Sequence, residues 1–566
     1  MSIGCPRDSP GSTDRASERE SPGTMRERSA ALLRETVAEA DAEGAVVCLS
    51  GGVDSATTAA LAVDALGASA VTALVMPTAA NDEANTSDAV ELATDLGVDH
   101  ATVPLDPALD VFKRHVAPRI APAGDEVAAG NLAARLRMAC AYYVANATDS
   151  VVVGTGNRTE RLLGYFTKYG DGAADVLPLG EYDKGAVRAL ASRLGVPTRV
   201  VEKPPTAGFW PGQTDESDLG APYATLDRVL RALVDGGGAD DSPRRIAEAA
   251  EIDADTVERL VGRVHDTAHK RERPPAPSRV PRNPETADPF AGDDGLAVRR
   301  VDRARQFVRE SVADAGADGV VVCLSGGLDS SVAAALAADA LGPDRVHGLF
   351  LPCHMASEVD SPDPGVLATD LGIDYDRVNV RPLVTELEAA LPTGVTADAG
   401  TRELGNFVAR IRMACAYYVA NTSERLVLGT TNRSEDLLGY VTKYGDGAAD
   451  LRPLGSAYKT EVRAMGRALD LPARVLDQEP AADFEIGRTD EDALGAGYPT
   501  IDAVLRRLVD RDLGIDRTAA DLGVDRDAVR RFAALHVATG HKRTTPPTTR
   551  GADGPEYFHE LELAFE

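Results

Sequence analysis

Short, uninterrupted apolar runs rich in valine alternate along the chain with longer stretches whose apolar residues recur at helical spacing. The runs at 45–49, 71–76 and 150–154 predict buried strands. Between them, 56–66, 88–96 and 131–147 carry the helical pattern. Strands that are apolar on both faces and separated by helices predict a parallel, doubly wound α/β sheet covered on both sides. Ligands of such sheets bind beyond the carboxyl ends of the strands.

The same pattern then starts again. VVCLSGGVDS at 46–55 recurs as VVCLSGGLDS at 321–330, an offset of 275. That offset links Asn131 to Asn406, ARLRMACAYYVAN to ARIRMACAYYVAN at 409–421, and GYFTKYGDGAAD at 164–175 to GYVTKYGDGAAD at 439–450. It also links DLGAPYATLD at 218–227 to the stretch ending at Asp502. A period this long is not a solenoid repeat; it means two copies of one large domain. The expected division is a tail over 1–24, a first copy over 25–273, a proline-rich, semi-extended linker over 274–298, a second copy over 299–548 and a tail over 549–566. The ARxRMACAYYVAN helix, apolar and rich in small residues, is the expected contact between the copies; an ordinary core helix would read the same way.

The chain of 566 residues has 60 Lys+Arg against 89 Asp+Glu, a net charge of −29. So acidic a surface argues against wrapping nucleic acid, which needs basic cover. No apolar stretch of 18 residues predicts a membrane span, and the N-terminal residues lack the apolar core of a secretion signal. Only 8 of the 60 cations are lysine. Acidic, lysine-poor surfaces suit a high-salt cytoplasm. Six cysteines without a C-x-x-C pair read as buried thiols in a reducing cytosol, not as a disulfide or zinc framework.

The stretch Ser50-Gly51-Gly52-Val53-Asp54-Ser55 follows a predicted strand and opens a helix. Two glycines allow a tight turn and close backbone approach. The helix amides favour a phosphate. Asp54 makes sense there if Mg²⁺ sits between it and the phosphates. The second copy repeats the set as Ser325, Gly326, Gly327, Asp329 and Ser330. The pattern is not a Walker loop. It resembles the pyrophosphate loop of ATP pyrophosphatases, which adenylate a carboxyl, amide or related oxygen.

The stretches GTGNRTE at 154–160, GYFTKYGDGAAD, Pro178-Leu179, Lys184, KPPTAG at 203–208 and His269-Lys270-Arg271 resemble the ammonia-dependent NAD synthetases in order and spacing, over nearly all of both copies. The resemblance implies two tandem adenine-nucleotide α-hydrolase-like domains. It implies a ligase that joins ammonia to deamido-NAD with ATP as co-substrate and Mg²⁺ as cofactor, giving NAD, AMP and pyrophosphate. It places Ser50, Gly51, Gly52, Val53, Asp54, Ser55, Thr155, Lys184 and Thr206 against ATP, and Asp54 with Glu160 on Mg²⁺. Arg135, Lys168, Asp175, His269 and Lys270 fall to deamido-NAD. Asp171 and Asp175 are the candidates for attracting ammonium or taking its proton, though GDGAAD also reads as an Asx turn.

In the second copy the matching positions are Thr430 and Lys459 for ATP, Asp329 and Glu435 for the metal, and Arg410, Lys443, Asp450, His541 and Lys542 for the dinucleotide. Six of the eight lysines fall in these paired positions, which scattered surface lysines would not do. Lys203, Thr206, Trp210 and Gln213, however, become Gln478, Ala481, Glu485 and Arg488. The second copy is therefore expected to bind nucleotide yet catalyse slowly or not at all. The partners expected are small molecules and, through a site at the subunit interface, either an intramolecular pseudo-dimer or a homo-oligomer. A tRNA-modifying adenylase is opposed by the charge; a non-catalytic nucleotide sensor fits only the second copy.

Overall fold

The computed structural model describes residues 20–121, 126–210, 212–235, 243–282, 288–353, 363–397, 399–479 and 489–550. In the first copy the apolar runs form β1 (Gly44–Cys48), β2 (Val71–Val75) and β4 (Ser150–Val153), joined by an edge strand β3 (Asp99–Thr102). All pair in parallel, in the order β3-β2-β1-β4. The second copy repeats this as β7-β6-β5-β8, with β5 (Gly319–Cys323), β6 (Val346–Phe350), β7 (Asp374–Arg377) and β8 (Arg425–Leu428). β3 escapes the sequence reading because its residues, Asp-His-Ala-Thr, are mostly exposed at the sheet edge.

The chain leaves β1 towards β2 on one side and returns to β4 on the other. The loops after β1 and β4 therefore splay apart at their carboxyl ends and leave a crevice. The loop 50–55 and the stretch 154–160 face each other across it.

The helices Glu126–Ala147 and Thr401–Thr422 pack on their own sheets and against each other. Leu136, Cys140, Tyr143, Ile411, Cys415 and Tyr418 belong to one continuous apolar core shared by both copies. Tyr143 stacks on Phe407 at 4.6 Å, and Phe112 meets Tyr418 edge-on at 4.8 Å. The helix is thus both a core helix and the contact between copies. Among the described residues no helix is long and apolar enough to cross a membrane.

The first helix begins at Pro22, inside the stretch expected as tail. The described part of the linker is held against the second copy. After Arg273 it crosses to the second copy, where the Arg452 N–H donates to the Pro275 carbonyl at 2.9 Å and Arg273 pairs with Asp436 at 2.9 Å. The helix Ala297–Asp314 starts within its expected end. The second copy returns the exchange: the Leu177 N–H donates to the Pro547 carbonyl at 2.9 Å, and Arg28 donates to the Thr549 carbonyl at 2.6 Å. Each copy thus ends on the body of the other. Residues 1–19 and 551–566, most of the two expected tails, lie outside the described residues.

Candidate active site

The loop after β1 needs its glycine. Gly51 has φ +80°, and a Cβ there would lie 2.1 Å from the Asn85 carbonyl oxygen. Gly326 has φ +81° in the second copy. We expect Gly51→Ala to distort the loop at a cost of several kcal/mol, from a left-handed backbone of ~1–3 kcal/mol plus the clash. Calorimetric melting together with ATP titration checks this: ATP affinity falls, and Tm falls with it.

Ser50 and Ser55 brace the turn. Their hydroxyls lie 3.1 Å apart, and the Ser55 hydroxyl donates to the Gly52 carbonyl at 3.1 Å. The helix Val53–Leu66 starts at Gly52 with no side-chain cap. Its first amides are left to an incoming anion. Ser325 and Ser330 repeat the brace at 3.0 Å.

Asp54 opens that helix and meets residues that follow β4. Asn157 donates its side-chain amide to Asp54 at 2.8 Å. The buried Lys184 ammonium lies 2.5 Å from Asp54 and 2.9 Å from Glu160. Burial pushes the Glu160 carboxyl up to about 7, against the lowering pull of Lys184. Burial opposes the charge on Lys184, but Asp54 and Glu160 outweigh it and raise the ammonium's pKa. Tyr223 stands between two acids, with its hydroxyl 2.7 Å from Asp215 and 3.2 Å from Glu160. The second copy builds the same set. Asn432 donates to Asp329 at 2.9 Å, Lys459 pairs with Asp329 and lies 3.0 Å from Glu435, and burial pushes Glu435 up to about 8.

The GYFTKYGDGAAD stretches carry the cross-copy contacts. The Lys168 ammonium reaches Asp450 of the other copy at 2.8 Å, and Lys443 reaches Asp175 at 2.7 Å. Despite burial, these ammonium groups hold both aspartates below the usual carboxylate range. Tyr169 and Tyr444 donate to the Ala449 and Ala174 carbonyls at 2.9 and 2.8 Å. Arg135 lies over the Tyr417 ring and Arg410 over the Tyr142 ring, each at 4.5 Å. His269 is near the Lys168–Asp450 pair and His541 near the Lys443–Asp175 pair.

Lys270 donates to the Gly164 and Phe166 carbonyls at 2.8 and 2.9 Å; Lys542 donates to Gly439 and Val441, both at 2.8 Å. Burial lowers each ammonium to about 8. Lys168, Lys270, Lys443 and Lys542 all line one cavity of about 160 Å³ between the copies, with Thr155 and Glu160 on its wall.

The two aspartates assigned to ammonia differ. Asp171 lines this cavity while closing its own turn, accepting the Thr167 N–H at 2.8 Å. Asp175 has both oxygens engaged, by Lys443, the Tyr142 hydroxyl and the Val152 N–H. Thr206 is exposed, on a stretch that overhangs the nucleotide loop. That stretch is tied down by Lys203, which donates to Asn85 at 2.8 Å and the Gly51 carbonyl at 3.4 Å and pairs with Asp88. Gln478 stands in place of Lys203; Ala481, Glu485 and Arg488 lie outside the described residues.

Asn157, Asp215 and Tyr223 were missed from the sequence. The repeat itself carries the signal, since Asn432, Asp490 and Tyr498 stand at the matching positions.

A family model described as NAD synthase matches residues 25–274 and again 300–546. An NH(3)-dependent NAD(+) synthetase of Halobacterium salinarum is 47% identical over 256 residues, 44% of this chain and 92% of that protein. One of Archaeoglobus fulgidus is 42% identical over 250 residues, 44% of this chain and 94% of that protein. Among solved structures, an NH3-dependent NAD synthetase from Campylobacter jejuni in complex with a nitrate ion is 29% identical, covering 45% of this chain and 98% of that one, with a TM-score of 0.38.

Proposed function

The chain belongs to the NAD synthase family, and from that premise we propose that it amidates deamido-NAD with ammonia and ATP, yielding NAD, AMP and pyrophosphate. One observation supports this reading above the rest: the braced glycine loop with Asp54, Glu160 and Lys184 opens beside a cavity whose four lysines come in pairs from both copies.

A carboxylate is a poor acyl donor until it carries a good leaving group. Attack of the nicotinate carboxylate on the α-phosphorus of ATP forms the carboxylate–AMP bond and breaks the bond to pyrophosphate. Ammonia then attacks the activated carbonyl, AMP departs and one proton is released. The loop residues Ser50 to Ser55 receive the phosphates on uncapped helix amides, with Thr155, Lys184 and Thr206 around the nucleotide. Two polyanions must meet, and fixed cations offset their repulsion without reorganising. Lys168, Lys270 and Arg135 hold the dinucleotide on one side with His269 and Asp450; Lys443, Lys542, Arg410, His541 and Asp175 form the matching set. Asp171, at the cavity wall, is assigned to ammonium capture, since Asp175 has its oxygens engaged.

Asp54 and Glu160, with Asp329 and Glu435 in the second copy, fit Mg²⁺ by their chemistry. They are paired hard-oxygen donors that already hold a cation, the lysine ammonium, between them. Mg²⁺ bound there would neutralise charge on the triphosphate.

The test is purified protein with ATP, Mg²⁺, ammonium and deamido-NAD in molar salt. NAD and AMP appear in equal amounts if the reading holds, and neither appears if it does not. The lysines give this activity a pH signature. Each ammonium binds anion only while protonated, and both Lys270 and Lys542 lose the proton as pH rises through about 8. The KM for deamido-NAD is therefore expected to rise about tenfold between roughly pH 7 and pH 9. Lys270→Arg, which keeps its charge, flattens that rise. An unchanged KM across the range contradicts the assignment.

A further inference from the structure

We propose that Gln213 and Asp218 are positioning residues for the adenylation step, fixing the stretch 203–210 over the nucleotide loop and tying it to the acidic cluster; this rests on the reading above. Gln213 is buried and uses both ends of its amide. Its oxygen accepts the Phe209 N–H at 2.7 Å, and its NH₂ donates to Asp218 at 2.7 Å. Asp218 accepts in turn from the Tyr165 hydroxyl at 2.8 Å, which also lies 3.2 Å from Asp215. Asp215 accepts from Tyr223, and Tyr223 reaches Glu160. An unbroken line of polar contacts runs from the backbone of 209 to the carboxylate assigned to the metal.

Lys203 holds the start of the overhanging stretch, and the Asp215 N–H donates to the Pro205 carbonyl at 3.1 Å. Gly208 and Gly212 have φ of +66° and +79°, conformations that side chains resist. The Gly208 carbonyl accepts from Asn81 at 3.2 Å, and the Phe209 ring lies flush on Gly130, where a Cβ would come within 2.4 Å. Hydrogen bonds to a carboxylate are stronger than neutral ones, so Asp218 is the strongest single hold on Gln213.

The second copy keeps the residues of the lower part of this line, Tyr440, Asp490, Tyr498 and Glu435, with the Tyr498 hydroxyl donating to Asp490 at 2.9 Å, but Ala493 stands where Asp218 does. The anchor is lost in the same copy that loses Lys203 and Trp210. This concerted change is expected if Asp218 serves the stretch and not the fold beneath it.

The experiment uses the full chain. Asp218→Ala is expected to raise the KM for ATP and lower kcat, with kcat/KM falling about 10- to 100-fold, the size expected for lost hydrogen bonds to a charged group. Amide exchange at 206–210 speeds up, while exchange in β1 and β4 stays as it was. Asp218→Glu restores both readouts to within about threefold of wild type. Wild-type kcat and KM in Asp218→Ala overturn the proposal. So does faster exchange throughout the sheet, which marks a merely structural role. If the unaltered protein forms no NAD, the functional reading fails. The exchange of 206–210, with and without ATP, then still decides the anchor, and protection equal in Asp218→Ala and wild type overturns it.

Discussion

Asp54→Ala is expected to cut NAD formation by at least about 10²–10³-fold, the loss typical for one preorganised charged group at a reacting centre, while Asp329→Ala leaves most of the activity. Both aspartates open a helix behind a braced glycine turn, and both face a lysine and a glutamate. The difference lies above them. In the first copy Lys203 holds the overhang to Gly51, Asn85 and Asp88; in the second the position is Gln478, too short and uncharged for that role. The matching stretch of the second copy's sequence also has alanine, glutamate and arginine in place of Thr206, Trp210 and Gln213. Initial rates of NAD and AMP for the two variants, at equal protein and saturating ATP, settle the matter. Equal losses refute the asymmetry.

Asp450→Ala is expected to be far more damaging than Asp329→Ala, although both residues belong to the second copy. Asp450 is the partner of Lys168, whose ammonium is buried and belongs to the first copy's set. Truncating one member of a buried charge pair costs about 2–5 kcal/mol, much of it from leaving the other charge unpaired. That corresponds to a loss in kcat/KM for deamido-NAD of roughly 30-fold or more. The single variants Asp450→Ala and Lys168→Ala, and the two combined, form a cycle that isolates the pair from its surroundings. Additive losses would mean that the two side chains act independently. Full activity of Asp450→Ala would show that the second copy does not complete the first copy's site.

Much of this was legible in the sequence, for identifiable reasons. β1, β2 and β4 are apolar on both faces, so their runs stand out. β3 is an exposed edge, and nothing in Asp-His-Ala-Thr announces a strand. The glycine loop was legible because a left-handed turn leaves few choices of residue, and the structure places Gly51 in that conformation. The repeat exposed the lysines, since six of eight recur at matching positions. It could not say whom they pair with. Lys168 bonds Asp450, not its own copy's Asp175, because the two copies face each other and exchange these pairs reciprocally, and one-dimensional spacing holds no trace of that arrangement. The crossing of the chain ends was illegible for a simpler reason: the Pro275 and Pro547 carbonyls act as backbone acceptors, and any residue carries one.

Those crossed ends have a consequence for the living protein. Two separate polypeptides exchanging such ends would find each other at a rate set by their abundance and would come apart on dilution. Here the encounter occurs within one molecule, at an effective concentration that dilution does not change. The composite chamber therefore stays whole however scarce the protein becomes. One half is also free to drift in sequence, since it is never asked to meet a copy of itself.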